Sequence, residues 1–134
     1  MKLPAFETAH EACSVALYLD GEVRERFEVA PRRHAELALP WADALLAEAG
    51  VARSQLDAVA VGRGPGAFTG VRLGVAIAQG IALALDRPAL PVSTLAALAM
   101  RAFAFCSGEG DRVLAAFAAT LRGVYTARCV PPLI

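Results

Sequence analysis

The sequence predicts an α/β fold, a mixed sheet flanked by helices. Three observations carry this reading. Strand-like segments are turned by Asp20-Gly21 near the N-terminus, and an apolar strand runs into a glycine-rich turn and leaves it as a long apolar helix. The resulting order is three strands, then helix, strand, helix, strand, helix.

Taken in order, Leu3 to Phe6 is a short apolar run and Cys13 to Leu19 a denser one that fits a buried strand. Pro4 is tolerable only near a strand start or edge. Beyond Asp20-Gly21, Glu22, Arg24, Arg26 and Glu28 alternate with Val23, Phe27 and Val29, as in a strand with one wet face; Glu25 is the one break. From His34 to Ala49 the spacing of Leu37, Trp41 and Leu45 is helical, Gly50 stands where the helix stops, and Pro40 predicts a kink or an early break. Leu56 to Val61 reads as a strand, Thr69 to Leu85 as a long helix stopped by Asp86 and Pro88, and Ala89 to Val92 as a further strand. Ser93 is the expected N-cap of a helix through about Phe103. The Ser107 to Asp111 stretch, with Gly108 and Gly110, divides a first lobe over 1–107 from a second unit over 108–134. In the latter, Val113 to Phe117 and Val124 to Cys129 read as strands that start a second lobe without completing it.

The chain has 134 residues, 57% of them hydrophobic and 19% charged, which excludes disorder and leaves apolar surface for a partner. Thirteen basic residues balance thirteen acidic ones, so no global field holds a polyanion. Lys2 is the only lysine, which tells against a phosphate loop that relies on one. Cys13, Cys106 and Cys129 are widely spaced and form no metal or redox pair, as expected of reduced cytosolic thiols. Lys2, Glu7, His10 and Glu11 interrupt any signal-peptide core, and the Leu73 to Leu85 run is expected to be too short to span a bilayer. A soluble, cytoplasmic protein with no membrane contact is the expectation.

The informative stretch is Gly62-Arg63-Gly64-Pro65-Gly66-Ala67-Phe68-Thr69-Gly70-Val71-Arg72-Leu73-Gly74. A strand that enters a glycine turn and leaves as a helix exposes backbone N–H groups at a positive dipole end, so Gly62, Gly64, Gly66 and Thr69 form a candidate phosphate loop. A purely structural turn fits the same residues, and the segment lacks both the Lys-Ser/Thr pair of a P-loop and the dinucleotide glycine spacing. Gly70, Gly74 and Ala78 lie four apart, a side-chain-free stripe that lets another helix approach, either a partner's or one of the same chain.

Gly64 to Gly74 resembles the signature of the TsaB (YeaZ) family. Glu11-Ala12-Cys13-Ser14-Val15-Ala16-Leu17, His34 and Pro91-Val92-Ser93-Thr94-Leu95 match in register, so the likeness covers about residues 1 to 125. The resemblance implies an actin-like, ribonuclease-H-like fold. It also implies a scaffold role in making threonylcarbamoyladenosine in tRNA: no chemistry of its own, no cofactor, a TsaD-like transferase as partner and a TsaE-like ATPase reached through the complex. A homodimer when alone and no strong direct tRNA binding complete the expectation. The pairing surface in the family is formed by first-lobe helices, which here assigns Thr69, Gly70, Arg72, Leu73, Gly74 and Ala78, with Trp41 as either core or hot spot. Gly70→Leu is then expected to abolish pairing and leave the fold largely intact.

The rival reading is a nucleotide-binding or hydrolysing module that holds ATP or ADP with magnesium through the glycine turn and Glu7. Glu7 stands where the family usually has an acidic residue after its first strand. The Asp-Ala-Arg that the family often offers in the second lobe is Ala118-Ala119-Thr120 here, so Glu7 reads as a turn or cap residue. His10 and His34 have no zinc-protease spacing, and His34 reads as packing at the start of the first helix. Cys13 and Ser14 have no base in sequence reach. Arg63 and Arg72 flank the loop and could meet an anion, although solvated arginines are the commoner case. Ala67 stands where the family usually has serine, the segment 118–123 departs from the family pattern, and the family's longer chains imply that most of the second lobe is missing.

Overall fold

The computed structural model describes residues 1–103, 113–118 and 124–129. Strands β1 (Lys2–Glu7), β2 (Ala12–Leu19), β3 (Glu22–Val29), β4 (Val59–Gly62) and β5 (Ala89–Val92) form one sheet in the order β3-β2-β1-β4-β5. The first three are antiparallel, with Ala5 opposite Ala16 and Ser14 opposite Phe27. β4 runs parallel to β1, and β5 parallel to β4. This is the expected mixed sheet.

Pro4 lies in a central strand, contrary to an edge position, and the ladder explains it. The N–H and carbonyl of Lys2 already reach toward Asp57, so Pro4 faces the same flank, and the pairing with β4 begins only at Ala5 and Ala60. No ladder bond needs the missing N–H. Glu25, the break in the alternation of β3, accepts a hydrogen bond from Ser14 Oγ at 2.6 Å.

Helices α1 (His34–Ala49) and α2 (Phe68–Leu85) cover one face of the sheet. Phe6, Val15, Leu17, Val59 and Val61 meet Ala38, Leu45, Ala78 and Ala82 in the core, and the helical alanines let the helices sit close to the strands. α1 runs unbroken through Pro40, against the expected break. Pro40 and Glu36 are both on the exposed side, where the carbonyl deprived of its helical partner can face water. Gly50 ends α1 at φ 65°, as expected of a left-handed cap. α2 starts at Phe68 and has 18 residues, so by length and composition it could cross a membrane, which corrects the expectation that the run was too short. Its inner row is nevertheless packed on the sheet.

α3 (Thr94–Phe103) follows β5, and Ser93 Oγ accepts the Ala96 N–H at 3.3 Å, the cap expected of it. It lies against a second, two-stranded antiparallel sheet of β6 (Val113–Ala118) and β7 (Val124–Cys129). The expected lobe divide at Ser107 to Asp111, Cys106 and residues 119–123 lie outside the described residues.

Candidate functional site

The site is built where the turn after β1 meets the glycine segment. Glu7 Oε1 accepts the Ala9 N–H at 2.9 Å, closing the turn on itself, and Oε2 accepts from Thr94 Oγ at 2.9 Å. Thr94 Oγ in turn accepts the Gly64 N–H at 3.1 Å, and the Thr94 N–H returns to the Gly64 carbonyl at 3.0 Å. Gly64 sits at φ 87°, a conformation other residues rarely adopt. One threonine thus ties β1, the glycine segment and the start of α3 together, and Glu7 is the turn residue expected of it.

The remaining glycines receive the same turn. The Ala67 N–H, at the N-cap of α2, donates to the Ala9 carbonyl at 2.7 Å, and Thr8 Oγ donates to the Gly70 carbonyl at 2.7 Å. A Cβ at Gly62 would collide with the Glu7 carboxylate, at Gly66 with the Ala9 carbonyl and at Gly70 with the Thr8 carbonyl. At Gly74 it would stand 2.6 Å from Thr8 Oγ. Four glycines spaced four apart therefore seat the chain's own β1–β2 turn. A phosphate at this loop would face carbonyl oxygens and a carboxylate rather than free N–H groups, and both Glu7 oxygens already accept hydrogen bonds, from Ala9 and Thr94. Among the described residues no three His, Cys, Asp or Glu groups come together.

This geometry corrects the assignment of the small stripe. Gly74 and Ala78 are buried and Gly70 is half-buried against Thr8, so Gly70 and Gly74 face the chain's own turn and Val61 of β4 rather than a partner's helix, and Ala78 lies in the core that α2 shares with α1. Gly70→Leu would accordingly disturb the fold, contrary to the expectation that it leaves the fold intact. Thr69 and Arg72 are exposed, Leu73 is half-buried, and Trp41 is half-buried against the core. The Arg72 guanidinium lies 3.5 Å over the Phe68 ring, a cation–π contact on the outer side of α2. Arg63 is exposed.

A groove of about 460 Å³ opens between the turn, the entry to α1 and the first turns of α2, lined by Thr8, His10, Arg32, His34 and Thr69. His34 is buried with Nε2 at 3.2 Å from the Ala12 carbonyl, the packing role expected for it. Cys13 is fully buried in the core, and burial first, then the neighbouring Glu28 carboxylate, pushes its thiol above the ordinary range. Neither arrangement presents a nucleophile to solvent.

Sequence reasoning gave Thr8 and Thr94 no role of their own, and of the outward face of α2 it named Thr69 and Arg72 but not Phe68, Ala76, Gln79 and Leu83, all exposed. Leu83 is 85% exposed. The available signal was a second four-spaced series on the same helix: Ala76, Gly80 and Ala84 are also small.

A family profile described as tRNA N6-adenosine threonylcarbamoyltransferase (TsaD) matches residues 27–129. The chain is 46% identical over 127 residues to the tRNA threonylcarbamoyladenosine biosynthesis protein TsaB of Escherichia coli (strain K12), covering 95% of this chain and 54% of that protein. It is 45% identical over 130 residues to TsaB of Haemophilus influenzae, covering 97% and 54%. The solved structure of YeaZ from Pseudomonas aeruginosa superposes with a TM-score of 0.88 at 50% identity, over 95% of this chain and 59% of that one. The chain spans about half the length of the curated relatives it matches. With its sheet order, its glycine-seated turn and these likenesses, the chain belongs to the TsaB (YeaZ) family and has that family's actin-like, ribonuclease-H-like fold.

Proposed function

We propose that this chain is a non-catalytic scaffold that pairs with a TsaD-like transferase in making threonylcarbamoyladenosine in tRNA, offering the outward face of α2. The observation that carries the reading is the state of that helix: it is apolar nearly throughout, yet only Gly74, Ala78 and Ala82 are buried. An exposed apolar face of this kind is an interaction surface. Phe68 and Arg72 are the side chains of the type that anchor interfaces, and Leu83 extends the same face. The filled glycine loop and the engaged Glu7 support the absence of a cofactor. A TsaE-like ATPase joins through the complex, the chain associates with itself when alone, and direct tRNA binding stays weak because the net charge is +0. A cytoplasmic setting follows from the tRNA work named for the relatives.

Light scattering after size-exclusion chromatography tests this, with the chain run alone and then mixed with the TsaD-like protein of the same organism. The expected result is a discrete mixed complex that Leu83→Glu weakens by tenfold or more, with an unchanged melting temperature. A wild-type chain that never co-elutes with the transferase would sink the reading.

A further inference from the structure

Of the two edges of the five-stranded sheet, β5 is closed to further pairing and β3 is open. β5 has four residues, one of them Pro91, with Pro88 just before it, and a short strand that carries proline offers little to an incoming chain. β3 has eight residues, neither proline nor lysine, and it pairs with β2 without a bulge from Glu22 to Val29. The hairpin sets its phase. Asp20 and Gly21 form a two-residue turn, and beyond the strand the Ala30 N–H donates to the Glu11 carbonyl at 3.1 Å, so the even-numbered residues turn their amides to β2. The N–H and carbonyl groups of Val23, Glu25, Phe27 and Val29 therefore point away from the sheet, and among the described residues no other segment receives them. The two sides of this edge differ. Arg24 and Arg26 stand opposite Leu17 and Val15 on the side that the helices cover, with side chains 38% and 39% exposed. Each meets one carboxylate, of Glu22 and of Glu48, through a single nitrogen, and a guanidinium has N–H groups to spare for a second. On the other side Val23, Phe27 and Val29 form an apolar row, 62%, 59% and 62% exposed.

We propose that β3 takes up an extended segment of a partner protein as a further, antiparallel strand of this sheet, a segment in which apolar residues alternate with acidic ones. The outward backbone groups of the four odd-numbered residues hold such a strand, and the rows on either side select its sequence. Residues facing Val23 and Phe27 are apolar, and those facing Arg24 and Arg26 are acidic, because opposite charges across a ladder attract and like charges repel. A basic segment is rejected by the same two arginines. The edge is separate from the pairing face of α2, which lies over β4, three places from β3 in the sheet, so both surfaces can be occupied at once and tested apart.

Fluorescence polarisation with the full chain tests this, using a labelled peptide of about seven residues that alternates valine with glutamate. The wild type is expected to bind it, and to bind the peptide with lysine in place of glutamate about tenfold or more weakly. Arg24→Glu combined with Arg26→Glu is expected to reverse that preference, with a melting temperature read alongside; the two peptides on the wild type report the same charge preference without any variant. Methylating the valine amide nitrogens, which face β3 in an antiparallel pair, is expected to abolish binding, and methylating the glutamate amides to leave it within about threefold. A wild type that binds neither peptide overturns the site. Equal binding of the two peptides overturns the assigned chemistry, and equal tolerance of the two methylations overturns strand pairing.

Discussion

Gly74→Ala and Gly80→Ala add the same methyl group to the same helix, and the structure gives them opposite signs. Alanine in place of a helical glycine is worth about 1 kcal/mol of backbone propensity at either position. At Gly80 nothing lies within 4 Å of the added carbon, so that gain stands nearly whole, and the melting temperature should rise by about 2–4 °C. At Gly74 the added carbon lands 2.6 Å from Thr8 Oγ and 3.4 Å from Val61 Cγ2, against an ordinary contact near 3.5 Å. Thr8 is 1% exposed and β-branched, so its hydroxyl cannot swing clear without releasing the 2.7 Å bond to the Gly70 carbonyl. Overpacking of about 1–3 kcal/mol and a buried hydroxyl left unpaired, about 1–3 kcal/mol more, outweigh the propensity gain. The net loss is about 1–5 kcal/mol, a fall of several degrees or more. Thermal melts at one low protein concentration, where association contributes little, read both values. A Gly74→Ala chain as stable as Gly80→Ala would mean that the turn does not sit on α2 as described.

Thr94→Val keeps the volume but removes the hydroxyl between Gly64 and Glu7; a loss of about 1–3 kcal/mol in urea unfolding is expected, and no loss would place the Glu7 carboxylate elsewhere. The raised pKa of Cys13 means that the folded state holds the thiol proton more tightly than the unfolded state. Its contribution is whole below the ordinary thiol value of about 8.5 and is lost as pH rises through the higher folded value. Urea midpoints should therefore fall more between pH 7 and pH 10 for the wild type than for Cys13→Ala, and equal falls would refute the assignment.

The sheet and its helices were legible in the sequence because their signals are local. Glu22 to Val29 alternates within a single strand, and the passage from Val61 through the glycines into α2 is contiguous. The inward face of α2 was not legible, and the reason is physical. The helix is apolar nearly all round, and both Gly70-Gly74-Ala78 and Ala76-Gly80-Ala84 are small at four-residue spacing, so periodicity alone cannot choose between them. The choice is made by Thr8 and Ala9, far away in sequence, whose backbone fills the space over the first series. Thr94 was invisible for the same reason, because its bond to Glu7 spans 87 positions. Pro40 misled because a helix rule was applied without knowing that its carbonyl partner faces water.

The glycine segment resembles a phosphate loop because both need backbone that another group can touch without a Cβ between. What separates them is what touches it. In a phosphate loop the N–H groups of the helix start point at an anion; here the Ala67 N–H points at the Ala9 carbonyl, and the Thr8 hydroxyl bonds the carbonyl of Gly70. The same contacts clamp the first half of α2 on the sheet, from Gly66 through Gly74, before any partner arrives. A helix held in this way presents Phe68, Arg72 and Gln79 without further ordering, and association on a preorganised face loses less entropy than on a mobile one. On the proposed pairing the glycines act indirectly, by fixing the inner side of the helix whose outer side is offered to the partner.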